Sequence, residues 1–196
     1  LVIWITGGAK SGKSRFAEEY AGHLADMGIY VATTQQNREN DEEMRLKIAK
    51  HQEQRAAAGF AWTTAEVPYH LSDWLLNYKA KVERTETSPP PVVLVDCLTM
   101  WLSNWLLKFD FAGDDTEPQL DRKITELVDV IREYPYPLLL VSNEVGDGIV
   151  PEYPLGRQFR DAAGRMNQRI AAVSEQAFLV TAGIPVDLKK LAFRWD

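Results

Sequence analysis

Residues 7 to 14 read Gly7, Gly8, Ala9, Lys10, Ser11, Gly12, Lys13 and Ser14, a complete G-x-x-x-x-G-K-[ST] phosphate loop. Before it, Leu1-Val2-Ile3-Trp4-Ile5 is apolar and rich in β-branched residues, as a buried parallel strand requires. After it, Phe16, Ala17, Tyr20, Ala21 and Leu24 recur at helical spacing. Strand, loop and helix thus stand in the order that gives such a loop its chemistry. Glycines let consecutive backbone N–H groups turn inward around phosphate oxygens, and the helix N-terminus adds positive potential. Lys13 is placed to reach the β- and γ-phosphates, and the Ser14 hydroxyl to ligate Mg²⁺.

The rest of the chain alternates in the same way. Apolar runs at 29–33, 62–65, 92–96, 138–142 and 178–181 read as strands. Between them, helices are expected over 41–55, 70–81, from Leu98 through Leu106, over 121–133 and over 155–176, with 109–118 as a loop and the Pro-rich stretch before Val92 as an exposed connection. Such alternation predicts an α/β fold: one nucleotide-binding domain over residues 1–196, with a mostly parallel sheet covered by helices on both faces. With 45% hydrophobic and 26% charged residues among 196, the chain has ordinary globular composition. The lone Cys97 excludes an internal disulfide framework and points to a reducing compartment, with a cytoplasmic location expected. No apolar run reaches membrane-spanning length, and a formal net charge of -6 disfavours a nucleic-acid backbone as main partner.

Three further positions bear on chemistry. Asp96 closes the apolar strand Val92-Val93-Leu94-Val95 and is read either as the acid that orients Mg²⁺ or water at the phosphates or as the N-cap of the next helix. His51 falls on the side of the 41–55 helix that carries Met44 and Ile48, with Lys47 and Arg55 four residues away on either side. Those cations disfavour imidazolium and keep a nitrogen lone pair available as a nucleophile, whereas a core-facing histidine is also a common structural hydrogen-bonder. His23 and His70 lack such a setting and read as structural or surface residues.

Ile5-Thr6-Gly7-Gly8-Ala9-Lys10-Ser11-Gly12-Lys13-Ser14-Arg15, Tyr30-Val31-Ala32-Thr33 and Ile48-Ala49-Lys50-His51 together resemble the bifunctional adenosylcobinamide kinase/adenosylcobinamide-phosphate guanylyltransferase family. So do Ser142-Asn143-Glu144-Val145-Gly146, Gly148-Ile149-Val150-Pro151 and the segment from Phe159 to Gln168, in the same order over almost the whole chain. The resemblance implies phosphorylation of adenosylcobinamide with ATP or GTP. It further implies GMP transfer from GTP through a guanylyl-histidine, giving adenosylcobinamide-GDP. It makes His51 the guanylylated residue and carries the family's GTP contacts to residues 7–14, to Ala32, Thr33 and Thr34, to Gln52, Glu53, Gln54 and Arg55, and to Glu66 and Asp96.

Two departures stand out. Many relatives have adjacent histidines where this chain has Lys50-His51, and Gln52-Glu53-Gln54-Arg55 lacks a glycine common there. The resemblance also implies a homotrimer with sites near subunit interfaces, which the expected count of exposed aromatics, Trp101 and Trp105 included, permits. In the C-terminal signature, Asn143 and Glu144 are expected at a loop bordering the nucleotide crevice, and Arg157, Arg160 and Arg165 read as internal ion-pairing residues ahead of phosphate binders. A kinase without the transferase step and a nucleotide-binding switch are the alternative functions.

Overall fold

The computed structural model describes residues 1–35, 59–85, 89–113 and 115–194. The expected helix over 41–55, with His51 and Gln52 to Arg55, lies outside the described residues. Strand β1 (Val2–Gly7) leads through the glycine-rich loop into helix α1 (Lys13–Leu24), and β2 (Met27–Ala32) follows. Then come β3 (Ala61–Glu66), α2 (Leu71–Thr85), β4 (Val92–Asp96), α3 (Leu98–Ala112) and α4 (Thr116–Arg132). The remaining elements are β5 (Leu138–Asn143), α5 (Pro154–Val173), β6 (Gln176–Thr181), β7 (Ile184–Asp187) and the short α6 (Leu188–Leu191).

The strands form one seven-stranded sheet in the order β3-β2-β4-β5-β1-β6-β7, parallel except for β7. The period-two alternation of each strand divides its apolar side chains between two cores. Val2, Trp4, Val93, Val95, Leu138 and Leu140 face α2, α3, α4 and α5, while Ile3, Ile5, Val92, Leu94, Leu139 and Val141 face α1. Both faces of the central strands are therefore buried, which is why they read as continuous apolar runs rather than as alternating ones. The chain passes from β1 outward to β2 and later returns to flank β1 with β5 and β6. That reversal opens a crevice at the carboxyl end of β1, where ligands of open α/β sheets sit.

Several boundaries differ from the sequence expectation. The 109–118 segment is mostly helical: α3 runs to Ala112 and ends where Gly113, at φ 71°, donates its N–H to the Asp110 carbonyl at 3.1 Å. Pro118, which reads as a breaker, lies in the first turn of α4, where a missing N–H costs nothing. Trp101 and Trp105 are buried, 1% and 5% exposed, and both indole N–H groups donate to the Tyr69 carbonyl, so they belong to the core and are not available as exposed aromatics. The β6–β7 hairpin has no sequence expectation behind it, because its turn is Ala182-Gly183 rather than an Asn-Gly or Asp-Gly pair. Pro185 is accommodated because β7 is an edge strand.

Ile124 is fully buried between α4 and the rest of the larger core, whereas Glu126 sits on the exposed side, paired to Lys123 at 2.7 Å. Urea unfolding should therefore report a loss of about 2–5 kcal/mol for Ile124→Ala and under about 1 kcal/mol for Glu126→Ala.

Candidate active site

The loop between β1 and α1 turns through Lys10, at φ 57°, and Gly12, at φ 96°, the left-handed geometry that directs successive N–H groups inward. Gly12 stands at the N-cap position of α1 and has no side chain with which to satisfy the first-turn N–H groups, so they face the crevice. The loop is held from behind. The Gly183 N–H donates to the Ser11 carbonyl at 2.8 Å, and a Cβ on Gly7 would lie 2.3 Å from the Val180 carbonyl oxygen. The Ser11 hydroxyl is buried beside Gly7 without a hydrogen-bond partner among the described residues.

Lys13 is buried, and its Nζ donates to the Gly8 carbonyl at 3.0 Å, folded back over the loop it belongs to. Burial pushes its pKa below the usual lysine value, and the charge of Asp96 and the Cys97 thiol partly oppose that push. Ser14 follows in the first turn of α1 and is half-buried.

Strand register places the other candidates along the same edge. Ala32 is the parallel partner of both Asp96 and Glu66, and Gly7 is the partner of Asn143. Asp96 does not cap α3; that position is taken by Cys97, and Asp96 Oδ2 accepts from the Tyr30 hydroxyl at 3.0 Å. Thr33 is fully buried and binds Cys97 twice, donating Oγ1–H to its carbonyl at 2.7 Å and accepting its N–H at 3.1 Å. Asn104 donates to the carbonyls of Thr33, at 2.8 Å, and Pro68, at 2.9 Å, and so ties the chain just after β2 to the chain just after β3. Residues 7–14 and Asp96 are thus brought together. Glu66 is not: β3 is four strands from β1, on the order of 19 Å at ordinary strand spacing. It opens instead on a groove of about 320 Å³ with Tyr69, His70, Asp73 and Trp74. His70 is exposed and lies 3.4 Å from Asp73, and His23 is exposed on α1.

The C-terminal signature turns out to be an internal clamp. Ser142 Oγ donates to Asn167 Oδ1 at 2.6 Å, and Asn167 Nδ2 donates to the Asn143 carbonyl at 3.2 Å. Arg157 donates to the carbonyls of Pro151 and Glu152, Arg160 to that of Gly146, and Arg165 pairs with Glu117 at 3.2 Å. These arginines hold the loop after β5 and join α5 to α4. Sequence spacing alone does not reveal this, since the partners are backbone carbonyls or belong to another helix.

A buried phosphate-loop lysine beside a strand-end aspartate is the geometry of phosphoryl-transfer sites. The family model described as cobinamide kinase / cobinamide phosphate guanyltransferase matches residues 3–188. The chain belongs to this family. It is accordingly a kinase and nucleotidyltransferase. It is 37% identical over 198 residues, covering 96% of this chain and 100% of the relative, to the bifunctional adenosylcobalamin biosynthesis protein CobU of Escherichia coli strain K12. The CobU protein of Salmonella typhimurium strain LT2 is 38% identical over the same shares. The bifunctional adenosylcobalamin biosynthesis protein CobP of Pseudomonas aeruginosa is 40% identical over 185 residues, 94% of this chain and 95% of the relative. Among the described residues, no helix is long and apolar enough to cross a membrane.

Cys97 sits at the floor of the site as the chain's sole cysteine, and burial, with Asp96 second, pushes its thiol up to about 11. At pH 8 about one thiol in a thousand is then ionised. Native protein should react with a thiol-exchange reagent at least about tenfold more slowly than the same chain in denaturant, and raising the pH to 10 should narrow that gap.

Proposed function

We propose that the chain phosphorylates the aminopropanol hydroxyl of adenosylcobinamide with ATP or GTP, then transfers GMP from GTP through a guanylyl-histidine at His51, giving adenosylcobinamide-GDP for cobalamin biosynthesis. The observation that carries the reading is Lys13, buried within its own loop and electrostatically coupled to Asp96 at one crevice, in a chain of this family. A single domain performs both steps, as a cytoplasmic homotrimer.

The loop N–H groups of Gly8 to Lys13 and the first turn of α1 bind the triphosphate, and Lys13 shifts from the Gly8 carbonyl onto phosphate oxygens. A desolvated ammonium exchanging a neutral carbonyl for an anion gains more than a hydrated one would, which concentrates its stabilisation where phosphoryl charge develops. Ser14 and Asp96 offer hard oxygen donors of the kind Mg²⁺ takes. The described residues hold no cluster of three or more acidic, His or Cys side chains, so such a cation would complete its shell with substrate phosphates and water. When bound, Mg²⁺ neutralises phosphate charge. The register partners Ala32 and Asp96 supply the rest of the nucleotide-facing edge, which runs on to Thr34, with the buried Thr33 holding it through Cys97. In the second step a neutral His51 attacks the α-phosphorus of GTP, forming a P–N bond as pyrophosphate leaves. The acceptor phosphate then displaces the histidine. Gln52 to Arg55 are assigned to GTP in that step, whereas Glu66, on its separate groove, is not.

Lys13→Ala should lower the phosphorylation rate about a hundredfold, equivalent to roughly 3 kcal/mol of transition-state stabilisation. Near-normal phosphorylation of adenosylcobinamide by this variant would remove the loop from the mechanism. His51→Asn and His51→Ala should keep phosphorylation yet form no guanylyl-enzyme from α-labelled GTP. In the wild type, that label should be lost in acid and retained in base, as a P–N bond requires. Label retained by either variant would place the nucleophile elsewhere, and loss of both activities would make His51 a structural residue.

A further inference from the structure

Ser142 and Asn143 end β5 on opposite faces of the sheet. Ser142 continues the row of Leu138 and Leu140 towards α5, where Asn167 binds it. Asn143 continues the row of Leu139 and Val141 on the α1 face, opposite Gly7, on the strand that separates the phosphate loop from Asp96. Its position is fixed from several sides. The Asn167 amide donates to its carbonyl, Glu144 next to it donates its N–H to the Gly7 carbonyl at 3.1 Å, and its own Nδ2 donates to Thr99 Oγ1 at 2.8 Å. Nδ2 also lies 3.8 Å from Cys97 Sγ, the thiol that feels the charge of Lys13.

With its nitrogen committed to Thr99, the half-buried carboxamide keeps Oδ1 as an acceptor that no hydrogen bond engages among the described residues. Oδ1 is not among the enclosed unpartnered polar atoms, so it stays accessible to a bound reactant. A free acceptor between the phosphate loop and Asp96 faces reactants whose phosphate oxygens carry no hydrogen to give. The attacking alcohol does carry one.

We infer that Asn143 orients the acceptor substrate for phosphoryl transfer, its Oδ1 accepting the hydrogen bond of the attacking hydroxyl while Thr99 fixes the direction of the amide. The inference rests on the kinase half of the proposed function. The hydroxyl oxygen forms a bond to the γ-phosphorus as the bond from that phosphorus to the β,γ-bridging oxygen breaks, and the bridging oxygen keeps the electron pair in the departing nucleoside diphosphate. The hydroxyl proton passes to an oxygen of the transferred phosphoryl group and on to water. Asn143 takes no proton; it holds the O–H so that a lone pair of the oxygen points at phosphorus, the alignment on which near-attack geometry depends.

The test uses the full chain with Asn143→Ala and Asn143→Asp. For each, kcat and KM for adenosylcobinamide phosphorylation, GTP affinity and the amount of guanylyl-enzyme formed from GTP alone are measured. Asn143→Ala is expected to lower the phosphorylation kcat roughly 10- to 100-fold, with GTP affinity and guanylyl-enzyme formation within about twofold of wild type. Asn143→Asp keeps an acceptor oxygen in place and can take the Thr99 hydroxyl as its donor, so it should recover most of the lost rate. A normal kcat in Asn143→Ala overturns the inference. So does a parallel loss of phosphorylation, GTP affinity and guanylyl-enzyme, or unfolding of both variants, since either outcome makes Asn143 a structural clamp. A wild-type chain that guanylylates itself but never phosphorylates adenosylcobinamide would instead overturn the kinase reading.

Discussion

Everything at the crevice depends on how closely the phosphate loop is pressed against the β6–β7 hairpin. There is no room for a Cβ at Gly7, where the Val180 carbonyl oxygen would be 2.3 Å away, and the Ser11 carbonyl is held by the Gly183 N–H. Close backbone approach of this kind leaves the loop one arrangement, with its N–H groups directed into the crevice and α1 starting at Lys13. Pre-organised donors need little rearrangement when charge develops on a phosphoryl group, and that is the condition under which they contribute most.

Burial of Lys13 and proximity of Asp96 act together on that arrangement. A lysine taken out of water loses hydration that its Gly8 carbonyl partner only partly replaces, and burial outweighs the opposing influence of Asp96 and Cys97 on its pKa. The free chain therefore holds a cation whose stabilisation is completed by an anionic ligand. Around it the second tier is polar and mostly satisfied: Tyr30 on Asp96, Thr33 on Cys97, Asn104 on the Thr33 carbonyl, Asn143 on Thr99. Such a network transmits position from the core to the edge of the sheet, and it joins the C-terminal signature to the loop at the opposite end of the sequence.

Much of the architecture is legible in the sequence because it is local. Strand β1, the loop and α1 follow from three adjacent segments, and the central strands announce themselves as apolar runs since both of their faces are covered. Pro118 misleads because a proline in the first turn of a helix looks like a break when the helix start is unknown. The β7 hairpin escapes notice because an Ala-Gly turn carries little signal. Trp101 and Trp105 show the limit of reading aromatics as surface: their indole N–H groups find the Tyr69 carbonyl, a partner more than 30 residues away.

The sequence by itself determined the phosphate loop, the alternation of strand and helix, the family, and the identity of the acidic and basic side chains at the candidate site, because each of these is written in neighbouring residues. Tertiary structure alone decided which of them meet. Parallel pairing in the order β4-β5-β1 brings Asp96 and Asn143 to the loop, while the same sheet carries Glu66 on β3 away to a separate groove. Strand order sets those distances, and it is fixed by crossover connections and core packing that leave no trace in local spacing. Two arginines of the signature make the same point, since Arg160 holds the Gly146 carbonyl in the loop after β5 and Arg165 a carboxylate of another helix.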